Sequence, residues 1–170
     1  IERMGNGLLL LVNQLLDISK IRSAIGDPDW RHGDVTARMR IVTMMYHSYA
    51  GDRGVGLSFE AREAVVMDYV PDYVDKVLNN LLSNALKFTG KGYVRLEAAF
   101  NVGELCIKVQ DTGAGMNDEE QKRIFDAFER LDNARGISGF GLGLAIVSRL
   151  VSQLGGSIGV ESHPGEGSCF

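Results

Sequence analysis

The sequence predicts an α+β layered sandwich, with helices on one face of a sheet and a separate bundle-type helix in front of it. Three observations carry that prediction. "YVRLEAAF" and "ELCIKVQD" (93–100 and 104–111) alternate apolar and polar residues around Asn101-Val102-Gly103-Glu104, the pattern of an antiparallel hairpin. Segments 71–88 and 142–154 instead repeat their apolar residues with helical period, and they are interspersed among strand-like stretches. The chain has 170 residues and is 45% hydrophobic, enough to bury the core of one compact domain with an appendage.

In chain order, Met4, Leu8, Leu11, Leu15 and Ile18 recur at alternating spacings of four and three, the seam of a coiled coil or bundle helix. Leu9, Val12 and Leu16 form a second stripe, so this helix needs neighbours, expected from self-association or from segments outside the chain; packing on the domain's own core is the alternative. Gly26-Asp27-Pro28-Asp29 ends it, because proline lacks a backbone donor and disfavours helix in the residue before it. Segment 35–50 reads as a helix with Met39, Val42, Met45 and Tyr46 on one face, ended by Gly51, Gly54 and Gly56. "VGLSFE" and "AVVMDYV" read as short strands, and Pro71-Asp72 opens the helix that runs to Phe88. Beyond the hairpin come a short helix from Asp118 to Phe128, a glycine-rich stretch, the helix over 142–154 and a strand, "SIGVES". The chain starts at Ile1 and stops at Phe170 within what reads as a strand, so the expectation is a piece of a longer protein.

The bulk properties exclude several classes. A net charge of −4 and the lack of basic runs make nucleic acid and anionic membrane poor partners. Cys106 and Cys169 form no C-x-x-C pair and the three histidines have no metal-ligand spacing, so neither a structural zinc site nor a disulfide framework is expected; both cysteines read as small buried residues. The longest apolar run, Leu8 to Val12, is far short of the roughly 20 residues of a membrane span.

Four stretches have the residue types of a phosphate and base site. "SGFGLGLAIV" (138–147) places Gly139, Gly141 and Gly143 at every second position before a helix. The spacing fails the dinucleotide fingerprint, which needs G-x-G-x-x-G after a strand, and no Gly-Lys-Ser/Thr follows for a Walker loop. Small residues at a helix N-terminus still let backbone amides approach an anion, although a surface loop fits the same residues. In "NNLLSNALKFT" (79–89), Asn80, Asn84 and Lys87 line one helix edge while Leu78, Leu81, Leu82 and Ala85 face inward. An asparagine oxygen is a hard neutral ligand for a Mg²⁺ that carries phosphate, and lysine meets phosphate charge; a solvated polar face is the other reading. In "DTGAGM" (111–116), a carboxylate at a strand end can accept from the amine of adenine, with Gly113 and Gly115 as bare backbone beneath the base, or the stretch is a plain turn. In "RIFDAFERLD" (123–132), Phe125 and Phe128 fit a lid anchor or a satellite cluster, and Arg130 is a phosphate-seeking guanidinium.

Together, in this order, these stretches resemble the N, G1, F and G2 boxes of the catalytic domain of bacterial sensor histidine kinases, a GHKL-type fold. The resemblance covers residues 34–170. It implies a mixed, mostly antiparallel sheet of about five strands covered by three helices, with ATP and Mg²⁺ as cofactors. Residues 1–25, especially "LVNQLLDISKI", resemble the end of the second helix of that family's dimerisation and phosphotransfer hairpin, leaving 26–33 as a hinge linker. By the same resemblance Asn84 holds the metal, Asn80 and Lys87 lie at the metal and phosphate edge, and Phe88 lies beside the base. Asp111 takes the adenine amine between Gly113 and Gly115, Arg130 approaches the γ-phosphate, and Gly139, Gly141 and Gly143 flank the phosphates. The implied partners are a second copy, through the N-terminal helix, and a response regulator receiver domain. The implied location is cytoplasmic, with an inner-membrane anchor open to the parent protein.

Two departures stand out. Phe140 replaces a small polar residue common in the family, which removes a hydroxyl contact to phosphate. The phosphoacceptor histidine belongs on the first helix of the hairpin, and none of His32, His47 and His163 has that context. Two other readings compete: a non-catalytic docking module, and an ATP hydrolase of the same fold. Against the hydrolase, those enzymes use a glutamate where this chain has Asn80, which cannot take a proton from water as a carboxylate can.

Overall fold

The computed structural model describes residues 28–129 and 140–170. The predicted helix over 1–25, Arg130 and Gly139 therefore lie outside the described residues. The described part has the element order β1 (Arg31–Asp34), α1 (Val35–Met45), α2 (His47–Asp52), β2 (Val55–Ala61), β3 (Val66–Tyr69), α3 (Pro71–Phe88), β4 (Gly92–Asn101), β5 (Glu104–Asp111), α4 (Asp118–Arg123), α5 (Gly143–Gln153), β6 (Glu161–His163) and β7 (Gly167–Cys169).

Five strands make the main sheet in the order β2-β4-β5-β7-β6, with β2 and β4 parallel and the other neighbours antiparallel. This is the mixed, mostly antiparallel sheet expected. One face is apolar: Val94, Leu96, Ala98 and Val109 are buried under α1, α3 and α5, which contribute Met39, Leu78, Leu82, Leu86, Ile146 and Leu150 to the same core. Helix α3 is the central element, with Val74, Val77, Leu78, Leu81, Leu82, Ala85 and Leu86 inward and Pro71 in its first turn, where its missing N–H costs nothing. Arg38 on α1 forks onto Asp75 on α3 with bonds of 2.7 and 2.6 Å, tying the two helices together.

Five local expectations are corrected. Residues 31–33, assigned to the hinge, are part of β1, which pairs antiparallel with β3 from Arg31↔Tyr69 to Asp34↔Val66 in a separate two-stranded sheet. "RHGD" has no apolar alternation because neither of its faces enters the main core. The helix over 35–50 breaks at Tyr46, whose hydroxyl reaches over to the Asn79 side chain at 3.0 Å, and restarts as α2. The helix from Asp118 stops at Arg123, and "SIGVES" is extended strand only from Glu161. Cys106 is exposed and Cys169 half-buried, since both sit on strands with an uncovered face.

The β4–β5 hairpin turns through Val102 and Gly103, with φ of 51° and 85°. Two consecutive positive φ values are the signature of a type I′ turn, which suits Asn-Gly; a β-branched, fully exposed valine is strained there by about 1 kcal/mol. Val102→Asn is therefore expected to raise the unfolding free energy by about 1 kcal/mol in chemical denaturation, without changing the slope.

Candidate functional site

Helix α3 exposes one polar edge beside its apolar face, and the predicted residues Asn80, Asn84 and Lys87 lie on it, each half-buried. The Asn80 amide donates to the Lys76 carbonyl at 2.7 Å. Its oxygen faces the first residue of α5: a Cβ on Gly143 would stand 2.6 Å from it. Glycine at 143 is thus what lets the start of α5 approach α3. Among the described residues nothing hydrogen-bonds to the Asn84 side chain, so its carboxamide oxygen is available as a ligand. Burial pushes the Lys87 ammonium below its usual pKa, which a neighbouring anion would oppose.

Asp111 ends β5 in the same inward row as Val109 and is almost fully buried. Its carboxylate accepts the Gly113 N–H at 2.8 Å, and the residue sits in register with Ser168 on β7. Burial nevertheless dominates and holds the carboxyl above the ordinary carboxylate range. A Cβ on Gly113 would lie 2.6 Å from the Phe88 carbonyl oxygen, and one on Gly115 (φ +65°) only 1.9 Å from the His163 carbonyl oxygen. The end of α3, the 111–116 turn and the terminal hairpin therefore meet backbone to backbone, bringing together Phe88, Asp111, Gly113 and Gly115 as the sequence suggests.

The third group is only partly described. Phe125 packs edge-on against Phe170, centroids 6.4 Å apart, which is the satellite cluster rather than a free anchor. Phe128 is exposed, takes φ +68°, and donates its N–H to the Gly141 carbonyl at 2.9 Å. Gly141 itself has φ +70°, and a Cβ there would lie 2.4 Å from the Glu129 carbonyl oxygen. The two ends of the stretch between them are thus joined at its neck. Phe140 packs against the hydrophobic core, so this side chain fills space.

Three contributors were missed. Thr112 accepts the Tyr93 N–H at 3.0 Å, and Ser162 and Gln121 bind the 111–116 turn from other elements. Only Ser162 left a signal, a hydroxyl at an inward position of a predicted strand. The histidines stand apart: His32 pairs with Asp68 at 2.8 Å, and His47 and His163 are exposed. Among the described residues there is no group of three or more metal-ligating side chains of His, Cys, Asp or Glu type, and no helix is long and apolar enough to cross a membrane.

A family profile described as Histidine kinase-, DNA gyrase B-, and HSP90-like ATPase matches residues 69–170. The chain belongs to this family. Its relatives include the sensor histidine kinase RcsC of Escherichia coli, 36% identical over 167 residues, and the sensor protein EvgS of Escherichia coli, 31% identical over 175 residues. These alignments cover 96% and 98% of this chain but 18% and 14% of the relatives, so the chain spans less than a fifth of either. The crystal structure of full-length ShkA in complex with AMPPNP superposes with a TM-score of 0.89 at 32% identity, covering 99% of this chain and 35% of that one. Within the family the chain is thus the ATP-binding catalytic domain of the sensor histidine kinase type.

The buried Asp111 has a measurable consequence without any ligand. Its folded pKa lies above the unfolded value, so the folded state holds the proton more tightly. Stability is then greatest below the unfolded pKa and falls as pH rises through the folded one. Asp111→Asn, which carries no charge to desolvate, is expected to melt at a higher temperature than the parent at pH 7. That advantage should shrink as the pH drops into the ordinary carboxylate range, as followed by thermal unfolding across pH.

Proposed function

We propose that this chain binds Mg-ATP and presents its γ-phosphoryl group to a histidine outside residues 28–170. The observation that carries the reading is the convergence at the C-terminal half of α3: a buried acceptor, Asp111, beside two bare glycines, and a helix N-terminus held to Asn80 by Gly143. A buried carboxylate beside bare backbone accepts from the amine of adenine and repels the carbonyl that guanine presents there. Asn84 offers its oxygen to Mg²⁺, which when bound neutralises phosphate charge. Lys87 and the first amides of α5 meet the remaining charge, and Arg130 and Gly139 are assigned to the phosphate side by resemblance alone.

Transfer then needs a nucleophile that the described residues do not supply. An imidazole nitrogen attacks the γ-phosphorus, the bond to the β-phosphate bridging oxygen breaks, ADP leaves with the electron pair, and the imidazole proton passes to solvent. Asn80, neutral and bonded to the Lys76 carbonyl, is no general base for water, which favours transfer over hydrolysis. We further propose that the whole protein dimerises through the segment over 1–25, relays the phosphoryl group to a response regulator receiver domain, and places this domain in the cytoplasm, without nucleic-acid or membrane contact by this domain.

Thermal unfolding with and without Mg-ATP tests the binding step. At about a hundredfold excess over Kd the parent is expected to gain about 2.7 kcal/mol, and Asp111→Asn little or nothing. No gain in the parent would favour a docking scaffold. Incubated with γ-labelled ATP, the isolated chain is expected to form no stable phosphohistidine, whereas addition of the acceptor helix should restore labelling; label on the isolated chain would overturn the acceptor assignment.

A further inference from the structure

The turn that carries Gly113 and Gly115 is held from outside by a hydrogen-bond cluster to which neither the sequence motifs nor the comparisons assign a role. The Met116 N–H donates to the Ser162 hydroxyl at 2.8 Å, and that hydroxyl donates to the Gly167 carbonyl at 2.7 Å. The Ser168 hydroxyl stands 3.0 Å from it. Because the single Ser162 proton goes to Gly167, Ser168 is the donor in that pair, so Ser162 accepts twice, donates once and has no freedom to rotate. Both serines are buried, at 5% and 9% exposure. From α4, the Gln121 amide donates both to the Ser162 carbonyl at 2.9 Å and to the Met116 carbonyl at 3.2 Å. The Gly165 N–H closes on the Ala114 carbonyl at 2.7 Å.

The same hairpin also fixes the acceptor. Asp111 and Ser168 are register partners, so β7 of that hairpin lies directly against the strand end that carries the carboxylate. One rigid unit therefore sets both the carboxylate and the glycine floor beside it.

We propose that Ser162 and Gln121 are positioning residues for base recognition: by locking the 112–116 turn to the terminal hairpin, they set where the glycine floor lies relative to the Asp111 carboxylate. The inference rests on the adenine reading of this site. Its mark is discrimination between ATP, whose amine donates to Asp111, and inosine triphosphate, which turns a carbonyl oxygen to the same carboxylate. A residue that merely stabilises the fold weakens both nucleotides together; one that aligns acceptor and floor weakens ATP selectively.

The test is titration of the 170-residue chain with Mg-ATP and Mg-inosine triphosphate by competition against a fluorescent nucleotide. Gln121→Glu is nearly isosteric, lies on a partly exposed helix surface, and turns a donor into a carboxylate facing two carbonyls. It is expected to weaken ATP about tenfold while changing inosine triphosphate by far less. Ser162→Ala should act in the same direction and Ser162→Thr, which keeps the hydroxyl, should recover the parent ratio. If Ser162→Ala fails to fold, the Gln121 variant decides alone. A parent that binds ATP with variants that keep its ATP-to-inosine triphosphate ratio overturns this inference only; a parent that binds neither nucleotide overturns the proposed function and this inference with it.

Discussion

A carboxylate buried at the end of a central strand constrains everything around it. Charge removed from water must be met by donors, and Asp111 is met by the Gly113 amide in its own turn, with Ser168 in register across the ladder. That donor reaches it only because the chain reverses tightly after β5, and the strand end is covered because β7 lies next to β5. The remaining desolvation is a standing cost, and such a cost persists where a fixed acceptor serves recognition. The strand order and the left-handed Gly115 are both consistent with that requirement.

Close approach of backbones is the second theme. Gly113 abuts the Phe88 carbonyl, Gly115 the His163 carbonyl and Gly143 the Asn80 side chain. In each case the missing Cβ lets two elements share one wall of the site. Helix α3 contributes to two of these contacts while its opposite face fills the core, so its packing and its polar edge are mechanically one object. Truncating a leucine there would disturb the polar edge as well as the interior.

How much of this was legible in the sequence follows from range. The amphipathic period of α3 and the alternation of β4 and β5 are local patterns, and they read correctly. The β1–β3 pair was not legible, because Arg31–Asp34 carries no apolar alternation and its partner lies about 35 positions on. Tyr46 broke a predicted helix through a contact with Asn79, again a distant residue. Gln121 was silent for the same reason, and Ser162 showed only as an inward hydroxyl: neither side chain announces its role until the carbonyl it binds is brought to it. The hinge boundary and the early part of "SIGVES" were overread because extended or glycine-bearing sequence does not say whether a neighbour is there to pair with.

The position of β7 between β5 and β6 has a consequence for biosynthesis. The proposed acceptor and the glycines beside it draw on residues from Phe88 to Ser168, so they come together only after β6 and β7 have left the ribosome. A nascent chain carrying every asparagine and glycine of the earlier motifs still lacks the hairpin that Gly115 abuts. On the proposed reading, nucleotide would meet this site only after the β6–β7 hairpin has emerged, as a seal on a formed sheet and not a template for it.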